Sequence, residues 1–184
     1  MARAIRPDNI TTSRLVLEPL ELRHAPEVTR FCRLWEVARY TANIPHPYPA
    51  GCAEAFAKDA VAKRESGGGW VYAVTVADGG EVIGVIDITL SDKDRSGELG
   101  YAFAPWSWGN GYASEAARAL IGFAFQVLRL DKMEAFAMVE NEASERLLTR
   151  IGMRRIGERK MPAPARERDA LCGVFQVFWS QVRT

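Results

Sequence analysis

One stretch, residues 98–116, constrains this chain more than any other. It reads ELGYAFAPWSWGNGYASEA, a strand, a turn built on two glycines and the start of a helix in direct succession. Tyr101 and Phe103 alternate with small residues, and Pro105 closes the run as at a strand end. Gly109 and Gly111 lack a Cβ, so the backbone there can turn tightly and approach a ligand. From Tyr112 onward, Ala113, Ala116, Ala117, Leu120, Ile121, Ala124, Val127 and Leu128 recur at three-and-four spacing, the mark of one apolar helical stripe. Backbone N–H groups converge at such a turn, and with the helix dipole they suit a phosphate or pyrophosphate. Neither G-x-x-x-x-G-K-[ST] nor a full G-x-G-x-x-G is present, because Ser114 stands where a third glycine would be. The two familiar nucleotide sites are therefore disfavoured.

Around this unit, short strands and helices alternate. Residues 12–20 read as a strand with Leu15 and Leu17 on one face, and residues 22–40 as a helix. Ile44-Pro45-His46-Pro47-Tyr48-Pro49 holds three prolines, which forbid a helix and favour a stiff loop. A helix over 52–65 ends at Ser66-Gly67-Gly68-Gly69, and strands over 70–76 and 81–90 flank the turn Ala77-Asp78-Gly79-Gly80. Residues 91–97 turn the chain into the strand at Glu98. Residues 132–139 form a further strand. A whole helix separates these last two strands, so they pair in parallel through a right-handed crossover. Residues 141–150 read as a short helix closed by Gly152, 154–159 as a strand, 160–169 as a charged loop and 171–182 as the last strand. No repeat or linker divides the chain. One domain over 1–184 is expected, with a polar lead-in over 1–10.

Composition narrows the function. A chain of 184 residues, 48% hydrophobic and 26% charged, has enough core to fold alone. Its net charge of +1, from 24 basic and 23 acidic residues, gives no field that would recruit nucleic acid or an anionic membrane. No apolar run reaches membrane-spanning length and no signal-peptide core is visible. Cys32, Cys52 and Cys172 have no metal-ligand spacing, and His24 and His46 cannot assemble a His-rich site, so no metal is expected. The cysteines point to a reducing, cytoplasmic setting.

The order of elements resembles the GNAT acyl-CoA-dependent N-acetyltransferases over nearly the whole chain, most closely the branch that acetylates the amino termini of ribosomal proteins. Three matches carry the resemblance: Ser13-Arg14-Leu15-Val16-Leu17; Glu98-Leu99-Gly100-Tyr101 leading to Trp108-Gly109-Asn110-Gly111-Tyr112-Ala113-Ser114-Glu115-Ala116; and Asn141-Glu142-Ala143-Ser144 followed by Leu147, Leu148, Ile151, Gly152 and Met153. The resemblance implies an α/β fold with a central, mostly antiparallel, twisted sheet of about seven strands. One parallel, splayed step and about four flanking helices complete it. It also implies acetyl-CoA as donor, with no metal. Amides of Gly109, Asn110, Gly111, Tyr112 and Ala113 would hold the pyrophosphate, and the backbone of Phe103 and Ala104 would pair with the pantetheine arm. Asn141 and Ser144 would lie beside that arm and its thiol. Trp108 stands where the family signature has Gln or Arg, so side-chain help for the pyrophosphate is missing there.

By the same resemblance Glu98 is the first-choice base, Ser144 steadies or protonates the leaving sulfur, and Tyr101 is an alternative proton carrier. From the residues alone each also has a plain structural reading. Glu98 suits a solvated strand position, Ser144 an ordinary helix position, Asn141 a helix N-cap, and Tyr101 and Phe103 a core or wall. His46 titrates near neutral pH, but a lone loop histidine usually has no catalytic task. Trp35, Tyr40, His46 and Tyr48 suggest an aromatic-lined acceptor slot. The expected acceptor is the α-amine of a protein or peptide. The alternatives are a small amine (amino acid, polyamine or drug) and a catalytically silent acyl-CoA-binding domain, against which the presence of both Glu98 and Ser144 argues. A monomer or a homodimer fits equally.

Overall fold

Eight strands form one sheet, in the order β1-β2-β3-β4-β5-β6-β8-β7, in the computed structural model, which describes residues 9–91 and 94–182. β1 (Ile10–Thr11), β2 (Leu15–Pro19), β3 (Gly69–Val76), β4 (Val82–Leu90) and β5 (Ser96–Phe103) run antiparallel to one another in turn. β6 (Lys132–Met138) pairs in parallel with β5, as the intervening helix requires. β8 (Arg168–Phe178) lies antiparallel against β6, and β7 (Arg154–Ala163) forms the outer edge. The helices divide between the two faces. α1 (Ala25–Cys32), the one-turn α2 (Trp35–Ala38) and α3 (Cys52–Glu65) share a core with Val71, Ala73, Val85 and Ala102. α4 (Tyr112–Gln126) and α5 (Glu142–Arg150) cover the other face, where Leu120, Phe125 and Leu148 pack on Leu15, Ile86 and Leu99. Each large apolar side chain buried there contributes roughly 1.5–3 kcal/mol. A last helical turn, α6 (Trp179–Val182), sets Trp179 against Phe125 with ring centroids 5.6 Å apart.

The parallel pair matters most. Pairing of β5 with β6 runs from Ser96↔Lys132 to Leu99↔Ala135 and stops there. Beyond it β5 stays bonded to β4 as far as Phe103, and β6 to β8 as far as Met138. The two strands therefore part after Leu99, leaving a gap in the middle of the sheet.

The structure corrects the expected elements in four places. The strand expected over 12–20 begins only at Leu15, because the Thr12 hydroxyl accepts the Leu15 N–H at 2.9 Å and turns the chain. Ile10–Thr11 adds an eighth strand; residues 1–8 of the expected lead-in lie outside the described residues, as do 92 and 93 of the expected 91–97 turn. The helix expected over 22–40 breaks into a 3₁₀ turn, α1 and α2: Pro26, with no N–H to donate, sits in the first turn of α1, and Leu34 adopts an extended backbone. The charged loop expected over 160–169 is mostly strand. Lys160 pairs with Leu171 and Ala163 with Arg168, and Pro162 is tolerated because β7 is an edge. Charge on both faces of β7 hides it from a period-two reading, and the last strand accordingly starts at Arg168 and ends at Phe178. No helix among the described residues is long and apolar enough to cross a membrane.

Candidate active site

The gap between β5 and β6 opens into a cleft of about 670 Å³, within the usual range for small-molecule sites. Leu99, Tyr101 and Phe103 line it from the α4 side of the sheet. Gly100 and Ala102, which alternate with them, line it from the α1–α3 side together with Val37, Tyr40 and Thr41. The cleft thus runs through the sheet, so that groups arriving from opposite faces meet at the gap.

At one end of the cleft lies the glycine turn. Gly109 and Gly111 both have φ of 78°, a left-handed backbone that disfavours any residue with a Cβ. Nothing stands within 4 Å of a Cβ built on Gly109, so conformation rather than space demands glycine there. Asn110 closes the turn from inside, its Nδ2 donating to the Ser107 and Trp108 carbonyls at 3.2 Å each. Arg14 braces it from outside: Nη1 donates to the Asn110 carbonyl at 3.1 Å and Nε to Glu115 at 2.7 Å. The same guanidinium lies 4.8 Å from the centre of the Tyr112 ring. Burial alone would raise the Glu115 carboxyl, but hydrogen bonds from Thr12, Arg14 and Ser13 hold it down at about 2. Sequence reading found Ser13–Leu17 only as a likeness; the role of Arg14 lies in its reach to a turn 96 residues away.

Gly111 is the N-cap of α4 and has no side chain to cap it. The first N–H groups of a helix have no intrahelical partner. Among the described residues, the N–H groups of Gly109, Asn110 and Gly111 make no backbone hydrogen bond either. These donors, at a helix N-terminus, fit a pyrophosphate. Two of the backbone groups expected to pair with the pantetheine arm already have partners within the chain. The Ala104 N–H is bonded to the Ile83 carbonyl at 2.8 Å, and the Phe103 carbonyl accepts the Trp108 indole N–H at 2.9 Å. Backbone groups in an antiparallel ladder face alternate neighbours, so those of Tyr101 and the N–H of Phe103 face the gap, while Ala104 does not line the cleft.

The chemistry-bearing side chains cluster at the gap. Tyr101 Oη lies 2.6 Å from Ser144 Oγ, a hydrogen bond joining β5 to α5. Asn141 caps α5, its Oδ1 accepting the Ser144 N–H at 3.1 Å. Burial pushes the Tyr101 phenol up to about 12, against the lowering effect of its Ser144 bond, so at neutral pH it is a proton donor.

Glu98 stands one pair before the strands part, opposite Thr89 on β4 and Glu134 on β6, and does not line the cleft. Glu98 is an exposed position of β5, and partial desolvation of its carboxyl, with Asp87 and Glu134 nearby, raises it while Lys63 opposes them. Asp87 is raised as well, by burial, with Lys63 at 3.6 Å opposing. A carboxyl raised by folding stabilises the fold while protonated. That contribution is present below the ordinary value of 4.5 and is lost as pH rises through the folded value. Glu98→Gln is therefore expected to raise the melting temperature at neutral pH but not in mild acid, measured by thermal unfolding at both. A lower melting temperature at neutral pH would contradict the raised carboxyl.

Of the expected acceptor slot, only Tyr40 lines the cleft, with the Arg39 guanidinium 4.4 Å from its ring centre. Trp35 and His46 lie with ring centroids 5.2 Å apart and their planes tilted by 51°. Arg166, at the tip between β7 and β8, lies 5.4 Å from the Trp35 ring centre and donates to the Ile44 carbonyl. Trp35 and His46 thus tie that tip to the proline loop, and Tyr48 packs into the α1–α3 core beside Cys32 and Cys52. No cysteine lines the cleft, and burial pushes the Cys32 thiol up to about 12 and raises Cys172 too. Sequence reading missed Glu36, Arg39, Phe136 and Arg146, which do line it; their sequence context carries no motif that would have found them.

The sequence profile of the acetyltransferase (GNAT) domain family matches residues 14–154. The uncharacterized N-acetyltransferase YnaD of Bacillus subtilis is 31% identical over 153 residues, covering 81% of this chain and 84% of that one. A shorter match, 38% identical over 78 residues, spans 42% of this chain and 44% of the uncharacterized N-acetyltransferase YoaA from the same organism. Among solved structures, the ribosomal L7/L12 alpha-N-protein acetyltransferase RimL, in complex with coenzyme A, superposes with a TM-score of 0.83 at 14% identity, covering 93% of this chain and 98% of that one. Spermidine N-acetyltransferase from Vibrio cholerae, in complex with CoA and spermine, gives 0.79 at 18% identity, covering 94% and 100%. At these identities the structures share the fold. The family profile and the YnaD match go further: the chain belongs to the GNAT family of acetyltransferases, enzymes that move an acetyl group from acetyl-CoA to an amine.

Proposed function

We propose that this N-acetyltransferase acts on the α-amino group of a protein or peptide, by direct attack of the amine on the thioester within one ternary complex. The observation that carries this reading is the cleft running through the sheet, with the Tyr101–Ser144 pair at its gap. The donor supplies a thioester carbonyl at the gap. Free N–H groups from Gly109 to Ala113 hold its pyrophosphate, and the gap-facing backbone of Tyr101 and Phe103 holds its arm. The acceptor enters on the α1–α3 side past Tyr40 and Thr41. The cleft wall carries both signs of charge, Glu36 and Glu140 with Arg39 and Arg146. A polycation favours carboxylates alone, whereas a peptide amino terminus, with its ammonium and following carbonyls, uses both kinds of group. RimL, of the same fold, is an alpha-N-protein acetyltransferase.

In the transfer, the amine lone pair attacks the carbonyl carbon and the carbon–sulfur bond breaks, its electrons leaving on sulfur. Tyr101 gives a proton to that sulfur while Ser144 holds the phenol in place. An α-amine titrates near 8, so removal of its proton asks little of a base. Glu98, raised by partial desolvation and by neighbouring carboxylates, takes that proton through water. No cysteine or histidine lines the cleft among the described residues, so no activated nucleophile competes for the acetyl group.

A panel of short peptides with free amino termini, beside amino acids and polyamines, tests the acceptor through thiol release from acetyl-CoA. Turnover with peptides and loss of turnover on blocking their amino termini are expected. Turnover confined to polyamines would overturn the peptide reading and favour the activity named for the Vibrio cholerae structure.

A further inference from the structure

Gly100 is the first residue of β5 beyond the last pair with β6, and it lines the cleft. Space, rather than backbone conformation, demands glycine here. Asp87 pairs with Gly100 from β4, and a Cβ built on Gly100 would stand 2.5 Å from Asp87 Oδ1 and 3.2 Å from its Cγ. The Asp87 carboxylate therefore fills the place that a side chain at position 100 would take. Val85, two residues earlier on β4, packs in the α1–α3 core, so Asp87 leans over β5 from that same face. A carboxylate that belongs to β4 is thus delivered to the edge of the gap, on the side where the acceptor arrives.

One of its oxygens is committed. Oδ2 lies 3.6 Å from Lys63 Nζ of α3 and accepts from the Thr89 hydroxyl at 3.4 Å, while Lys63 donates to that hydroxyl at 2.6 Å. Oδ1 accepts no hydrogen bond among the described residues, and the side chain keeps 29% exposure. Glu98 and Glu134 follow on β5 and β6. Lys132 lies 3.3 Å from Glu134 and 3.4 Å from Asp94, and Gln176 also donates to Glu134. Glu98 makes no ion pair among the described residues. The carboxylates here outnumber the two lysines, which suits a cationic group at the gap.

Resting on the direct transfer proposed above, we propose that Asp87 Oδ1 holds the ammonium of the acceptor at the gap, and that residue 100 is glycine to let it do so. An α-amine that titrates near 8 is mostly ammonium at neutral pH. It brings three donors to a carboxylate whose other oxygen is already fixed, a charge-assisted contact. Held there, the nitrogen lies beside Glu98, which takes its proton through water. The freed lone pair then meets the thioester across the gap, with Tyr101 and Ser144 on the far face. The carboxylate also sorts acceptors, because a chain end without a cationic group leaves Oδ1 unpaired beside it.

Calorimetry of the intact protein saturated with coenzyme A tests this without turnover. The titrants are a peptide that the panel shows to be an acceptor and the same peptide lacking its terminal amino group. The wild type is expected to bind the amino peptide about tenfold more tightly, the scale of one charge-assisted contact. Asp87→Asn, which keeps the shape, is expected to lose most of that margin, with its affinity for the des-amino peptide and for acetyl-CoA unchanged. Its melting temperature at neutral pH should not fall, because the Asp87 carboxyl is raised and a raised carboxyl stabilises the fold only while protonated. Gly100→Ala, whose methyl displaces Oδ1, should lose the same margin, and the two changes together should cost little more than either alone. A margin that survives in Asp87→Asn, or its absence from the wild type, overturns the proposal and leaves the peptide reading in place. So does an equal loss for both peptides in Asp87→Asn, the mark of a structural role. Turnover of polyamines alone overturns the peptide reading. The proposal then requires kcat/KM for spermidine to fall about tenfold in Asp87→Asn, and an unchanged value overturns it as well. Failure of every amine in the panel to turn over overturns both.

Discussion

Gly111→Val is expected to weaken acetyl-CoA binding by at least about tenfold, read by calorimetry, since one charge-assisted hydrogen bond is worth about 1.5–3 kcal/mol and tenfold is about 1.4 kcal/mol. The residue sits at φ 78°, a conformation that a β-branched side chain adopts only under strain. A Cβ there would also stand 3.7 Å from Arg14 Nη2, and the further methyls of valine push toward the guanidinium that braces the turn. Relief of either contact rotates the peptide units whose N–H groups converge on the pyrophosphate. Gly111→Asn separates strain from simple unfolding, because asparagine tolerates the left-handed region. It should keep more of the affinity than valine at a comparable melting temperature. Unchanged affinity in the valine variant would remove the turn from the donor site.

The second large effect falls on turnover rather than binding. Tyr101→Phe is expected to lower kcat about 10²-fold or more, the usual worth of a positioned acid, while calorimetric affinity for acetyl-CoA stays close to wild type. Ser144→Ala should cost less, because the phenol remains and only its anchor at 2.6 Å is lost. A role limited to packing predicts the reverse pattern for Tyr101→Phe: a lower melting temperature with kcat intact.

The glycine turn, with the strand before it and the helix after it, was legible in the sequence because it rests on short-range chemistry. A proline ends β5, two glycines make the turn, and a three-and-four stripe runs along α4. The parallel pairing of β5 with β6 followed from the length of chain between them. The convergence of Asn141, Ser144 and Tyr101 came through the family resemblance, and the structure adds the hydrogen bonds that join them.

What escaped the sequence was long-range. Nothing near Arg14 indicates that it reaches Asn110 and Glu115. Trp108, which departs from the family's usual Gln or Arg, occupies the Phe103 carbonyl instead, a partner five residues back that no motif announces. Trp35, His46 and Tyr48 read as an acceptor slot because they are aromatic and clustered in sequence. The fold sends two of them to the tip between β7 and β8 and one into the core. The β7–β8 hairpin itself was masked by its charges, since an edge strand wet on both faces has no apolar alternation to show.

Two-substrate initial rates, with acetyl-CoA and a responsive peptide both varied, test most directly the claim that donor and acceptor meet in one cleft through the sheet. Double-reciprocal lines that intersect, with no thiol released from acetyl-CoA in the absence of acceptor beyond its own hydrolysis, are the predicted result. Parallel lines, with a burst of thiol matching the enzyme present and an acetyl group left on the protein, would contradict direct transfer.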